Sequence, residues 1–235
     1  MSVSGMIDPE ARARVPDQDT PVAGTPLYPG ISTLSPSVRP RRERTGCQDR
    51  VVSTLPLRGR LLVATPPLVD PNFDRSVVLM LEHGEEGALG IMLNRPTEAT
   101  LATVLPEWET HASAPGVIFS GGPVAPEAVI ALARGGVDSD AGWVSVLDDV
   151  GSVDVGRDPG DLGFRVDALR VFVGYAGWGP GQLEGEIEAN AWFVVPTLPS
   201  DPFAERPEDL WRDVLRRQPG RVAMFAHFPP DPAAN

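Results

Sequence analysis

The sequence predicts an α+β fold: a single compact domain with a curved, barrel-like, mostly antiparallel sheet and a few outer helices, preceded by a disordered tail. Two observations predict it. Many short apolar runs bounded by glycine and proline alternate with only a few helical patterns, which favours α+β over a regular βαβ repeat. Glycine and proline together make up 50 of the 235 residues, and the first part of the chain lacks a sustained apolar pattern.

We predict a disordered tail over residues 1–56 and one folded domain over residues 57–235. The tail is rich in proline and contains one aromatic residue, Tyr28, so it cannot bury enough apolar surface to offset its ordering entropy. The tail holds seven arginines and six acidic residues, so its formal net charge is +1. The whole chain has a net charge of −12, and the domain therefore has a net charge of −13. Such a domain repels nucleic-acid phosphates, and we expect no direct nucleic-acid binding.

Cys47 is the chain's one cysteine and lies in the predicted tail. Because the chain has a single cysteine, it can form neither an intrachain disulfide nor a thiolate metal site. Residues 1–5 lack the charged and apolar regions of a secretory signal. No apolar run is long enough to cross a bilayer. We expect a cytoplasmic protein with no membrane partner.

The first half of the domain predicts three strands, of which the second and third form a hairpin around residues 83–87. Residues 76–82 form a continuous apolar run, which is typical of a strand covered on both faces. Arg95 and Pro96 end the third strand, because proline removes a hydrogen-bond donor. A short helix follows at residues 100–105. The three predicted strands cover residues 60–65, 76–82 and 88–94.

The second half of the domain predicts more short strands and the two clearest helices. Proline at the start of each helix suits the first turn, where a missing N–H costs nothing. We predict strands at 116–120, 127–133, 143–147, 169–176 and 191–195, a loop or short irregular element at 148–163, helices at 180–189 and 207–217, and a last edge strand at 221–226.

Residues 174–184 (GYAGWGPGQLE) are the most informative stretch, with four glycines, one proline and two aromatic residues. Glycine lets another backbone or a ligand approach closely, and the N-terminus of a following helix attracts anions. Together with forked arginine donors and a second glycine pair, this stretch predicts a pocket for a small anionic ligand. The candidate ligand-binding residues are Arg75, Asn94, Arg95, Gly121, Gly122, Trp178, Gly179, Gly181, Gln182 and Glu184.

A purely structural interpretation stays open for the same residues. The glycines would permit close sheet packing, and the arginines would pair with Asp74 or Glu184. Glu184 and Glu188 stand at i, i+4 with like charge, so arginine partners are expected for them. Trp178, flanked by glycines, is expected to be the most accessible tryptophan. His83 is expected at the hairpin turn, exposed or capping backbone groups.

The sequence predicts no catalytic residues, no metal site and no cofactor. Glu82 and His83 are adjacent on a strand and point to opposite faces, which disfavours an acid–base pair. Ser76 and Ser120 lack the Gly-x-Ser-x-Gly elbow of a serine nucleophile. The three histidines form no metal-binding spacing, and the glycine loops match no nucleotide-binding pattern.

Several motifs occur in order between residues 57 and 200. They lie at 59–66, 74–78, 82–83, 87–90, 93–96, 121–124 and 174–184, with Asn190 and Trp192. With these motifs the chain resembles the AlgH/YqgE family of small bacterial proteins. The resemblance implies a compact α+β fold and a cytosolic location. Family members have been discussed as transcriptional regulators, notably of exopolysaccharide production. The ending at residues 226–230 departs from the family pattern, so no role carries over to His227.

Three functions remain open from the sequence. The leading hypothesis is a non-enzymatic binding or regulatory protein with a glycine-lined pocket or protein contact surface. The second is a small enzyme acting on an anionic metabolite, with Arg75 and Arg95 as clamps. The third is a transcriptional regulator that acts through a protein partner, because the acidic domain disfavours DNA contact.

Overall fold

The computed structural model describes residues 56–68, 70–135 and 142–229. Nearly all of the predicted tail, including Cys47, lies outside the described residues. The proposed boundary between tail and domain therefore stays a prediction.

The described residues contain ten strands, which join into one sheet that curls into a half-barrel. Along the sheet the order is β10-β1-β2-β3-β9-β6-β8-β7, and β4 joins through β5, which pairs with β9. The β5–β9 pair is parallel and every other pair is antiparallel. The strands are β1 (Arg60–Ala64), β2 (Val77–Gly84), β3 (Gly87–Met92), β4 (Pro96–Thr100), β5 (Val117–Ser120), β6 (Val124–Gly135), β7 (Trp143–Leu147), β8 (Val150–Val153), β9 (Val166–Trp178) and β10 (Trp192–Pro196).

The few helices confirm the predicted α+β class. They are α1 (Leu101–Val104), α2 (Gln182–Glu188) and α3 (Leu210–Arg216), with 3₁₀ turns at Pro106–His111, Pro159–Asp161, Asp201–Phe203, Pro207–Asp209 and Gly220–His227. The apolar stripe of α3 is fully buried, as its spacing predicts. Among the described helices, none combines the length and the apolar character that a membrane span requires.

The central hairpin of β2 and β3 is confirmed, and so is the burial of the apolar part of β2 on both faces. The apolar part of β2, from Val77 to Leu81, is buried throughout. One face of this region belongs to an apolar cluster with residues of β1 and α2, including Leu62, Met80 and Leu183. Alternating side chains of the same strands are buried on the opposite face, which explains the continuous apolar run.

The predicted edge strand at residues 221–226 is wrong, because these residues form the 3₁₀ helix Gly220–His227. An apolar side chain of this segment packs on the sheet instead: the ring centroid of Phe225 lies 5.2 Å from that of Phe193 on β10. A side-chain contact therefore holds the segment where strand pairing was expected.

Two further strands differ from the prediction. The stretch 148–163 is not all loop, because it contains β8. A Cβ on Gly151 would lie 2.4 Å from the Trp143 ring, so glycine here makes room for an aromatic ring. Strand β4 was missed because it begins at Pro96, and proline is tolerated at the first residue of a strand.

The chain crosses strand β9 between β5 and β6. Phe172 and Val173 pair with β5 and also with β6, so those strands lie on opposite edges of β9. The crossing requires glycine: a Cβ on Gly121 would lie 2.3 Å from the Gly174 carbonyl oxygen, and one on Gly122 would lie 2.1 Å from the Tyr175 carbonyl carbon. Gly174 itself has φ +70°.

Candidate functional site

Three predicted site residues meet at one cavity. The turn before β2 carries Arg75, the segment between β3 and β4 carries Asn94 and Arg95, and helix α3 closes the other side. The cavity volume is about 290 Å³. We call it the arginine pocket, and its lining is Asp74, Arg75, Asn94, Arg95, Glu208, Trp211 and Arg212.

Asn94 fixes the backbone of Arg75. Its side chain is buried, its Oδ1 accepts the Val77 N–H at 3.0 Å, and its Nδ2 donates to the Arg75 carbonyl at 2.9 Å. Arg75 has φ +50°, a conformation that a residue other than glycine adopts only at a cost. Asn94 therefore positions Arg75, and its amide is engaged within the protein.

The guanidinium of Arg75 is held between α3 and the C-terminal segment. It lies 4.8 Å from the Trp211 ring centroid, in the geometry of a cation–π contact. Its Nη2 donates to the Phe228 carbonyl at 3.1 Å and to the Pro229 carbonyl. The indole N–H of Trp211 donates to the Ala64 carbonyl at 2.9 Å, so the ring itself is anchored.

Arg75 and Arg95 of the arginine pocket donate to backbone carbonyls and not to side-chain carboxylates. Arg95 donates to the carbonyls of Asp74 and Asn94. Within the described residues, no carboxylate oxygen lies within 4.0 Å of a nitrogen of Arg75, Arg95 or Arg212. The three arginines keep N–H donors at the cavity, and with Asp74 and Glu208 in the same lining the formal net charge there is +1.

Arg217, just after α3, differs from the arginines of the pocket because it forms an ion pair within the protein. Its two terminal nitrogens donate to both oxygens of buried Asp201, at 2.6 and 2.5 Å. Such a bidentate pair compensates the charge of both groups. The arginine pocket has no comparable pair among the described residues.

Burial is the largest influence on the pKa of both Arg75 and Arg95, and it lowers each pKa from the usual arginine value. Asp74 opposes the lowering at both residues, whereas the nearby charge of Arg212 lowers the pKa of Arg75 further. Arginine stays protonated at neutral pH despite such shifts. The pocket therefore concentrates positive charge that a bound anion would stabilise.

Gly121 and Gly122 lie at the chain crossing. The Gly121 N–H donates to the Val173 carbonyl at 2.8 Å. Both glycines lack room for a Cβ against β9. Their geometry agrees with the structural interpretation of close sheet packing.

The glycine loop closes on itself around Glu186. The Gly179 N–H donates to Gln182 Oε1 at 3.1 Å, and Gln182 Nε2 donates to Glu186 Oε1 at 2.9 Å. The indole N–H groups of Trp178 and Trp192 both donate to Glu186 Oε2, at 2.9 and 2.8 Å. Gly181 is the residue before α2.

Two expectations at this loop are wrong. Trp178 is buried, because its indole N–H donates to Glu186 and its ring packs against those of Phe73 and Trp192. Glu184 pairs with a histidine and not with an arginine: its Oε1 lies 2.8 Å from His83 Nε2. His83 Nδ1 accepts the Leu57 N–H at 3.4 Å, so the ring caps a backbone group but is not exposed.

A second cavity of about 470 Å³ lies on the outer face of the sheet, where β2, β3, β6 and β9 meet. It shares no lining residue with the arginine pocket, and of the predicted site residues only Trp178 lines it. The predicted constellation therefore does not form one site. We call it the β9 groove, and its lining is Glu82, Glu86, Gly87, Ala88, Leu89, Val124, Tyr175, Gly177 and Trp178.

Sequence reasoning missed four residues of the arginine pocket. Asp74 was considered only as a partner for arginine, and Glu208, Trp211 and Arg212 were read as parts of a helix. Their spacing of three and four residues does place them on neighbouring positions of that helix. Nothing in the sequence shows that this side of α3 faces the turn before β2.

The fold and the pocket define a class: a small α+β domain with a half-barrel sheet and a positively charged pocket between the hairpin and the last helix. A family model described as AlgH-like matches residues 61–223, and the chain belongs to that family.

Relatives and solved structures agree with this membership. A UPF0301 protein of Streptomyces coelicolor is 50% identical over 184 residues, covering 76% of this chain and 95% of the relative. A crystal structure from Corynebacterium diphtheriae matches with a TM-score of 0.68 and 34% identity, covering 77% of this chain and 99% of the other. The solution structure of the AlgH protein of Pseudomonas aeruginosa matches with a TM-score of 0.56 and 28% identity, covering 78% and 100%.

Proposed function

We propose that this protein is a non-enzymatic binding protein whose arginine pocket holds the anionic group of a small ligand. One observation carries the proposal: Arg75, Arg95 and Arg212 border one cavity and have no carboxylate partner among the described residues. A phosphate or carboxylate group supplies the several acceptor oxygens that forked guanidinium donors recognise.

The surroundings of the pocket support a specific site over a diffuse positive surface. The domain is strongly acidic, so a local cluster of three arginines runs against its overall charge. Asn94 and Trp211 are both buried and hold Arg75 in place. Groups fixed in advance lose less conformational entropy when a ligand binds.

The size of the cavity favours a small ligand. Its volume of about 290 Å³ lies at the lower end of the range usual for ligand sites. Asp74 and Glu208 also line it and can accept hydrogen bonds from hydroxyl or amino groups of the same ligand.

Arg212 offers the cleanest test, because it makes no hydrogen bond to another described residue. We expect orthophosphate and citrate to raise the unfolding midpoint of the full chain, since a ligand that binds only the folded state stabilises it. Arg212→Gln should weaken the apparent affinity about tenfold, the effect of losing one charged hydrogen bond.

Arg216→Gln is the matched control, because Arg216 lies one turn further along α3 and pairs with Asp213 at the surface. Its response to the anions should equal that of the natural protein. Equal responses from both variants, or no midpoint shift at all, would contradict the proposal. Turnover of an anionic metabolite that disappears in Arg212→Gln would replace it with the enzymatic alternative.

A further inference from the structure

The β9 groove has features that the arginine pocket does not explain. Its side chains come from one face of the sheet, because Glu82 pairs with Leu89, Leu89 with Gly177, and Tyr175 with Val124 across the strands. Directly paired residues lie on the same face, as do residues two apart along a strand. The row runs across four neighbouring strands and faces outward.

Gly177 creates the depression in this row. A Cβ at Gly177 would meet only the Tyr175 ring at 3.4 Å and Val124 at 3.8 Å, which are ordinary contacts. The position thus has room for a side chain and carries none. The hollow between Leu89 and Tyr175 follows from this missing side chain.

The groove carries negative charge beside apolar walls. Glu82 and Glu86 are exposed, and neither carboxylate is hydrogen-bonded or ion-paired to another described residue. Leu89, Val124 and the Tyr175 ring supply apolar and aromatic surface next to them. A long cationic side chain matches this combination, since its stem packs on apolar surface and its head meets carboxylates.

The groove also lies along an open stretch of sheet edge. The pairing of β6 with β9 ends at Tyr175, whereas the last three residues of β9, Ala176–Trp178, pair with β3. Among the described residues no strand continues β6 along those three. An open edge presents unpaired backbone groups that an added strand can use.

We propose that the β9 groove docks an extended segment of a partner protein, with one arginine or lysine side chain placed between Glu82 and Glu86. The segment adds as a short strand beside Ala176–Trp178, so backbone pairing supplies affinity and the cationic side chain supplies specificity. This site is separate from the arginine pocket and does not depend on the proposed anion ligand.

The test uses the full chain and two capped nine-residue probe peptides of alternating threonine and valine, with arginine or glutamate at the centre. Fluorescence anisotropy should detect saturable binding of the arginine peptide and at least tenfold weaker binding of the glutamate peptide. The double variant Glu82→Gln with Glu86→Gln should weaken the arginine peptide roughly three- to tenfold. Glu98→Gln, at an exposed site on β4, should leave it unchanged.

Gly177→Val should fill the hollow and weaken the arginine peptide at least tenfold while keeping the unfolding midpoint within a few degrees. Equal binding of both peptides, binding that survives Gly177→Val, or no saturable binding up to about 1 mM peptide would overturn the proposal. Self-association that Gly177→Val abolishes would overturn it as well, because the occupant would then be a second copy of this chain.

Discussion

Asn94 links the fold to the candidate site through two hydrogen bonds of one side chain. It joins the first residue of β2 to the turn that carries Arg75, and both bonds are made where water has little access. Motif matching identified Asn94 as part of the site, but not this role. The structure assigns it to positioning, because both ends of its amide are engaged within the protein.

We predict that Asn94→Ala lowers the free energy of unfolding by about 2–3 kcal/mol, because it leaves the Val77 N–H and the Arg75 carbonyl without partners. Denaturant unfolding measures the loss. Asn72→Ala, at an exposed site in the preceding turn, is the control and should change stability by less than about 0.5 kcal/mol. Equal stability of the two variants would contradict the positioning role.

Arg170 is a buried charge without an acidic partner in the described residues. Its guanidinium lies 4.3 Å from the Phe119 ring centroid and donates to the carbonyls of Ala114 and Ala204, the latter at 2.9 Å. Its Nε and Nη1 have no hydrogen-bond partner among the described residues. Burial lowers the pKa of Arg170 to about 10.

This lowered pKa predicts a pH dependence with a definite sign. Above pH 10 the folded protein releases the Arg170 proton while the unfolded chain still holds it, so stability rises with pH in that range. Relative to Arg170→Met, the natural protein should gain about 1.4 kcal/mol of unfolding free energy between pH 8 and pH 11. Denaturant unfolding at both pH values measures this gain.

The same comparison made with Arg216→Met should show no such gain, because Arg216 is exposed. A difference between the natural protein and Arg170→Met that stays constant from pH 8 to pH 11 would contradict the buried-charge account.

At the scale of elements, β9 organises the molecule. It pairs with β3, β5 and β6, and the chain crosses it where three glycines meet. Further along the same strand, Gly177 opens the β9 groove. Two glycines three residues apart therefore serve opposite purposes, one allowing close contact and the other leaving space.

We predict that Gly174→Ala lowers the free energy of unfolding by about 3 kcal/mol, since it combines a positive φ with a Cβ only 2.5 Å from the Gly122 carbonyl oxygen. Gly177→Ala is the matched control on the same strand and should change stability by less than about 1 kcal/mol. Thermal or denaturant unfolding of both variants measures the contrast. Similar losses would show that the crossing is not tightly packed.

The apolar pattern of the sequence predicted the elements whose buried residues follow the expected spacing. The buried hairpin and α3 belong to this group, because their apolar spacing matches the packing that they make. The prediction from apolar periodicity was wrong where a specific side-chain contact determines the local structure. Phe225 packs on Phe193 without strand pairing, and Gly151 lies in strand β8, where its lack of a Cβ makes room for the Trp143 ring.

At the scale of the whole molecule, the sequence predicted that the residues flanking the hairpin lie together, but not that helix α3 packs against them. Arg75, Asn94 and Arg95 adjoin one hairpin, so local topology brings them together. The contribution of α3 depends on tertiary packing more than a hundred residues along the chain. The glycine loop was joined to them on composition alone, and the structure places it by the β9 groove and α2.

The predicted boundary between residues 1–56 and 57–235 can be tested by comparing the stability of the domain with that of the full chain. We expect residues 57–235 alone to unfold at the midpoint of the full chain within about 2 °C, because the preceding residues are too poor in apolar side chains to stabilise a core. Scanning calorimetry of both chains compares them. A midpoint lowered by more than about 5 °C, equivalent to roughly 1–2 kcal/mol for a domain of this size, would show that the preceding residues belong to the fold.

The central claim is that an anion binds between Arg75, Arg95 and Arg212. Its most direct measurement is a phosphate titration of the full chain, followed by NMR of the arginine Nε–Hε signals and assigned with single Arg→Gln variants. The account predicts saturable shifts of these three signals, with Arg216 and Arg217 unmoved. Uniform small shifts across the arginines, or saturable shifts confined to arginines outside the pocket, would contradict it.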